Sequence, residues 1–225
     1  MKITFYGHAC LGIQIKDIHI LVDTFISGNE KASSIDIESL KADYILVTHA
    51  HQDHTLDVEA IAKRTGAIIV SNYEIVAHYK SLGLEGHPMN HGGSWDFEFG
   101  KLKYVNAIHS SSFPDGSYGG QPGGFIIEGE HKNIYIAGDT ALTIDMKLIP
   151  MQTKLDLAIL PIGDNFTMGI NDAILASDFV ECDKILGYHF DTFGYIEIDH
   201  EVAKRKFFDK DKDLMLLDIG ESINL

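Results

Sequence analysis

Directly after a strand-like apolar run at 43–47, the segment Thr48-His49-Ala50-His51-Gln52-Asp53-His54 sets three imidazoles and a carboxylate within a few positions of one another. Neutral imidazole and carboxylate are the donors that suit zinc and its divalent neighbours. Left unpaired at the end of a buried strand, each would carry a desolvation penalty. The segment therefore needs a cation, and the fold must be one that opens a metal site at a strand end.

Three more candidates sit in the same kind of position. His109 follows the apolar run 104–108, Asp139 follows 135–138, and His189 follows 185–188. Strand ends along one sheet edge can converge on a point. Together with His49, His51, Asp53 and His54 they make five histidines and two aspartates, enough for two cations with a bridging carboxylate and a bridging water.

The rest of the chain is read as strands and helices in alternation. Segments 2–6, 11–15 and 18–22 open it as an antiparallel start, with Lys16-Asp17 as a tight turn. A helix at 55–64 follows the histidine motif and stops at Gly66; a strand at 67–71 and a helix at 73–82 come next. Residues 97–99 and 102–107 read as a strand pair, and 125–128 with 134–137 as a hairpin. After these come a helix at 144–150, a strand at 157–161, a helix at 171–181, a strand at 185–188, a helix at 200–208 and a last strand at 214–217. The Ser-, Gly- and Pro-rich stretch 110–124 is the one long loop, and its start beside His109 marks it as a binding segment.

A chain of 225 residues, 45% of them hydrophobic, fills one sizeable core, so residues 1–225 read as a single domain. No apolar run reaches the ~20 residues a membrane helix needs. Residues 1–6 lead into a strand pattern without the features of a signal peptide, which points to a cytoplasmic protein. Cys10 and Cys182 are too few for a disulfide framework and read as reduced core residues. The net charge of −15, without a Lys/Arg block, excludes long nucleic acid as a partner.

The strings GHAC (7–10), LVDTF (21–25), HPMN (87–90), HSSS (109–112), AGDT (137–140) and LPIGDNFTMG (160–169), with the histidine motif, resemble the metallo-β-lactamase superfamily. Within it they resemble the small metal-dependent hydrolases called UPF0173, relatives of the ascorbate-6-phosphate lactonases. The resemblance implies an α/β fold, the four-layer αββα sandwich. It also implies that His49, His51 and His109 hold a first metal, that Asp53, His54 and His189 hold a second, and that Asp139 bridges. Di-iron flavoproteins of the superfamily resemble HxExDH at the motif, so His51 argues for hydrolytic chemistry. Two divalent ions are implied, with zinc favoured over manganese or iron. Around the last histidine the chain departs from the family's Pro-Met-His-Tyr-like segment and reads Tyr188-His189-Phe190-Asp191, so the resemblance implies the ligand there but not its surroundings.

The resemblance further implies that hydroxide held by the paired cations attacks an ester, lactone or phosphodiester of a small molecule, with Asp53 orienting it and shuttling its proton. His8, in the first turn, is read as a substrate contact or proton donor, and Asp23 as the brace of the histidine loop. Asp164, Asn165 and Thr167 are read as surrounding or substrate-lining groups. His19, His78, His131 and His200 are read as solvated or locally bonded, residues 88–90 as a shaped loop, and Phe113 and Phe193 as core or subunit contacts. Self-association into a homo-oligomer stays open, as does a catalytically silent metal-binding protein with the same fold. The intact ligand set disfavours the silent protein, and the acidic charge disfavours an RNA-processing nuclease.

Overall fold

The computed structural model describes residues 1–225. Strands β1 (Lys2–Gly7), β2 (Cys10–Ile15) and β3 (Ile18–Val22) form an antiparallel meander; β4 (Tyr44–Leu46), β5 (Ile68–Asn72) and β6 (Gly86–Met89) extend it in parallel. The second half repeats the scheme. There β7 (Ser94–Phe97), β8 (Gly100–Asn106), β9 (Gly123–Gly129) and β10 (Lys132–Ile136) are antiparallel, and β11 (Leu157–Pro161), β12 (Lys184–Tyr188) and β13 (Asp213–Met215) run parallel to β10. A last strand, β14 (Ser222–Asn224), returns to the first sheet and pairs with β1.

Side-chain alternation explains the layering. In β1, Ile3 and Phe5 point inward while Lys2 is exposed, and β2 and β3 add Leu11, Ile13, Ile20 and Val22 to the same inner face. The second sheet answers with Leu102, Phe125, Ile127, Ile134, Ile136 and Ile159, so one apolar layer fills the space between the sheets. The parallel strands β4 and β11 are buried at every position, because helices cover their outer faces. On the first sheet these are α2 (Val58–Thr65) and α3 (Tyr73–Ser81); on the second, α4 (Ile170–Phe179) and α5 (His200–Phe208). The result is the four-layer αββα sandwich expected from the sequence.

Several elements differ from expectation. The helix after the histidine motif is broken in two: α1 (Gln52–Thr55) begins inside the motif, and α2 starts at Val58. Between them the Asp57 carboxylate turns away to accept the Ile26 and Ser27 backbone N–H groups at 2.6 and 2.9 Å. Residues 88–90, expected as a loop, are largely strand β6; it lies at the sheet edge, where Pro88 forfeits no ladder bond. The helix expected at 144–150 is a 3-10 turn, Ile144–Leu148. Strand β14 was not foreseen.

Strand directions place the C-terminal ends of β1, β3, β4, β8, β10, β11 and β12 along one edge of the sandwich. Backbone bonds join the two sheets there: His189 N–H donates to the His8 carbonyl at 2.7 Å, and Gly123 N–H to the Thr48 carbonyl at 3.1 Å. Just beyond β11, a Cβ on Gly163 would overlap the His189 carbonyl oxygen. Only glycine permits that approach, so Gly163→Ala is expected to destabilise the protein by about 1–3 kcal/mol. Urea denaturation reads this directly, and an unchanged midpoint would refute the tight packing.

Candidate metal centre

Each residue of the centre is delivered by a strand end. β4 leads through Val47 and Thr48 to His49, and His51, Asp53 and His54 follow on the turn into α1. His109 follows β8, Asp139 follows β10 and His189 follows β12. Three of the site's backbones are left-handed without being glycine: His8 (φ 54°), Asp23 (φ 46°) and His189 (φ 57°). Such residues cost free energy and persist where surrounding structure fixes them.

The Asp139 carboxylate stands at the middle. Its Oδ2 lies 3.0 Å from His189 Nε2, 3.4 Å from His54 Nε2, 3.6 Å from His109 Nε2 and 3.9 Å from His49 Nε2. On one side His49, His51 and His109 turn nitrogens toward one another; on the other, His8, Asp53, His54 and His189 do the same. All seven residues predicted as ligands are thus brought together.

The outer nitrogens of His49, His51 and His54 are tied down. Asp23, fully buried, accepts from Thr48 N–H (2.8 Å), the Thr48 hydroxyl (2.7 Å) and His54 Nδ1–H (2.9 Å). With its hydrogen committed to Asp23, the Thr48 hydroxyl accepts from His49 Nδ1–H at 3.0 Å. One carboxylate therefore sets the tautomer of two imidazoles and leaves the Nε2 lone pairs of both facing the centre. His51 presents Nδ1 inward, 3.0 Å from His49 Nε2, while its Nε2 meets the Ser110 hydroxyl at 3.2 Å.

Charge and burial fit a cation. Buried His54 Nε2, Asp139 Oδ1 and both nitrogens of His189 have no hydrogen-bond partner, a costly state for polar atoms in a dry interior. Burial opposes charge on His54, yet the Asp139 and Asp23 carboxylates outweigh it and raise its pKa well above the ordinary value. The pocket therefore draws positive charge to this spot. Burial likewise works against ionisation of Asp139, but the His189 and His54 imidazoles hold its carboxyl well below the usual range. Burial lowers His49, His51 and His109, leaving the neutral imidazoles that metals prefer.

His8 lies behind Asp53, 1% exposed, rather than on the open cleft. Burial and the neighbouring His189 push it down to about 4, so at neutral pH it is uncharged. Its Nε2–H donates to Asp53 Oδ2 at 3.1 Å, and its Nδ1 accepts from the Thr192 hydroxyl at 2.9 Å. Burial raises the Asp53 carboxyl, but the His8 hydrogen bond and the His54 imidazole outweigh it and keep the group ionised.

A cleft of about 710 Å³ opens over the centre, lined by His51, Asp53, His109, Asp139 and His189 with Ser110 and three aromatic rings. Those rings, Phe166, Phe193 and Tyr195, escaped the sequence reading, which assigned Phe193 to the core or an interface. Asp164, Asn165 and Thr167 do not line this cleft; their turn contributes Phe166 instead, and Asp164 and Asn165 face an adjoining hollow. Of residues 110–124 only Ser110 reaches the cleft. The others strap the motif from behind: Ser111 Oγ accepts from Ala50 N–H, and Asn72 Nδ2 donates to the carbonyls of Gly119 and Gln121. Thr48 was likewise unforeseen, although its place immediately before the motif was a signal. Cys10 and Cys182 are buried and free, as expected. His19, His78, His131 and His200 stand apart from the centre; His78 stacks on Phe113 and His200 pairs with Asp191.

Residues 19–190 match the profile of the Beta-lactamase superfamily domain. A UPF0173 metal-dependent hydrolase of Christiangramia forsetii is 78% identical over 226 residues, covering 100% of both chains. The Bacillus subtilis UPF0173 metal-dependent hydrolase YtkL is 44% identical over 206 residues, covering 89% of this chain and 90% of its own. Among solved structures, Igni18, a metallo hydrolase from Ignicoccus hospitalis, superposes with a TM-score of 0.89 at 30% identity, over 99% of this chain and 97% of that one. No helix is long and apolar enough to cross a membrane. With its histidine–aspartate cluster at the edge of an αββα sandwich, the chain belongs to the UPF0173 family of metal-dependent hydrolases in the metallo-β-lactamase superfamily.

Proposed function

We propose that this hydrolase holds two divalent cations and uses them to cleave an ester, lactone or phosphodiester bond of a small molecule. His49, His51 and His109 hold the first cation, Asp53, His54 and His189 the second, and Asp139 bridges them. The observation that carries this reading is the convergence of buried His54 Nε2 and His189 Nε2, neither with a hydrogen-bond partner, on the Asp139 carboxylate, inside a cluster whose carboxylates attract positive charge. A donor set dominated by imidazole favours zinc, with manganese and iron as the alternatives. Bound together, two such ions make water acidic enough to ionise near pH 7 and stabilise charge on the attacking and leaving oxygens.

The protein's own groups supply the rest. Asp53 Oδ2 is fixed by His8 Nε2–H, which leaves Oδ1 to orient the attacking water and take its proton. Because Asp53 lines the cleft, the same oxygen can pass that proton to the leaving group. Buried His8 is a positioning residue in this scheme: it holds the carboxylate's angle and is itself held by Thr192. Asp23 and Thr48 keep the inward lone pairs of His54 and His49 available.

Elemental analysis of purified protein is expected to find close to two divalent ions per chain, and none under any loading condition would overturn the proposal. Removing them with a chelator should lower the melting temperature, since a ligand present at a hundred times its Kd contributes about 2.7 kcal/mol. Asp53→Ala is expected to retain the first ion, lose the second, and depress kcat on bis(p-nitrophenyl) phosphate or a lactone panel far more than it changes KM. A fully active variant would sink the Asp53 role. Asp23→Asn removes the acceptor shared by His54 and Thr48 and should weaken metal binding about 10–100-fold in a chelator competition. Unaltered affinity there would mean that the brace is dispensable.

A further inference from the structure

The mouth of the cleft is aromatic. Phe166, Phe193 and Tyr195 are 52, 39 and 79% exposed, an unusual outlay of apolar surface unless something covers it. They come from two loops, one after β11 and one after β12, and line the same cleft. The Phe166 and Tyr195 rings stand edge to face with centroids 6.3 Å apart, and Phe193 packs against buried His8 at 5.3 Å.

Both loops are held in place. The turn carrying Phe166 is closed by a bridge between Gly163 and Gly169 and by Asp164 N–H to the Met168 carbonyl, and Met168 N–H donates to the Thr140 carbonyl beside Asp139. The loop carrying Tyr195 is clamped by Asp191, whose carboxylate accepts from Ile198 N–H at 2.9 Å and pairs with His200 Nε2 at 2.6 Å. Rings fixed in advance lose little freedom when a ligand arrives.

Charge excludes one kind of occupant. Neither lysine nor arginine lines the cleft. The hollow beyond Tyr195 sets the carboxylates of Asp164, Asp172, Glu197 and Asp199 against a single Lys206. A substrate carrying a phosphate away from its reacting centre would find no counter-charge in either place.

We infer that the cleft takes a substrate that carries no charge away from its reacting centre and bears a flat apolar group, aryl or similarly planar, which seats among Phe166, Phe193 and Tyr195 while its electrophilic centre reaches the histidine cluster. The second half of that statement rests on the hydrolase reading above; the seating of the flat group does not.

The test is a calorimetric titration of the metal-loaded protein with three hydroxamates, which share one chelating head: acetohydroxamate, phenylacetohydroxamate and phosphonoacetohydroxamate. The phenyl compound is expected to bind at least tenfold tighter than the methyl one, and the phosphonate no tighter than the methyl one. In Phe166→Ala/Tyr195→Ala the phenyl advantage should vanish while acetohydroxamate binding is unchanged. Equal affinities for phenyl and methyl, or a preference for the phosphonate, would overturn the inference. If no hydroxamate binds, the metal arrangement is what fails. The aromatic site is then decided by titrating neutral 2-phenylacetamide and following the ring resonances of the three aromatic residues by NMR. Shifts that disappear in the double variant uphold it, and still rings overturn it.

Discussion

A carboxylate 2% exposed, with four imidazole nitrogens within 4 Å of one of its oxygens, is the constraint around which this protein is arranged. Asp139 cannot be solvated there, and Oδ1 has no hydrogen-bond donor. Charge of the opposite sign has to come from the centre itself. The two sheets serve that need. Their shared apolar layer keeps the floor dry, which strengthens every electrostatic contact above it, and their parallel halves bring strand ends from both sides to one edge. The left-handed backbones at His8, Asp23 and His189 are local costs of that convergence.

Asp23 shows how the cost is contained. It sits at the end of β3, beside β4, and spends its carboxylate on the strand end that begins the motif and on the helix turn that closes it. His49 and His54 are therefore oriented by one group, and their positions are coupled through Thr48. The second sheet is joined to this unit by backbone bonds, Gly123 to Thr48 and His189 to His8, and by the Tyr104 hydroxyl, which donates to the Thr48 carbonyl at 3.0 Å. A shift of one sheet against the other would thus move the His189 imidazole relative to His54 and open the centre.

Much of the centre was legible because metal chemistry restricts residue type. A histidine or aspartate at the end of a buried apolar strand is costly unless a cation or a polar partner meets it, and the seven predicted from sequence lie within one cluster. Layering was legible because strands buried on two faces and strands buried on one have different patterns. What escaped depends on contacts with no sequence period. The split between α1 and α2 comes from Asp57 reaching back to the 26–27 backbone, and nothing in the helical pattern of 55–64 announces it. Strand β14 is three residues long and exists because the β1 edge is free to receive it. His8 reads as a turn residue, and only the closure of the two sheets puts it behind Asp53. The aromatic mouth was hidden for the same reason, since Phe166 and Tyr195 are 29 positions apart and meet only because β11 and β12 are neighbours.

The two sheets divide the work unequally. The first carries the motif and its brace, where a small displacement would change the direction of a lone pair, and it offers little room for variation. The second carries the loops after β11 and β12, whose bases are pinned by Gly163 and Asp191 but whose tips project past the centre. Phe166 and Tyr195 can change without disturbing the ligands, because neither bonds to one of the seven, whereas Phe193 packs on His8 and through it is tied to Asp53. The segment immediately after His189 is the base of the Tyr195 loop. Asp191 there bonds to Ile198 and His200, not to the imidazole of His189. A change at Asp191 would therefore alter the wall that a substrate meets and leave the donor set at the floor intact, which is how one reactive centre can be turned toward a different substrate.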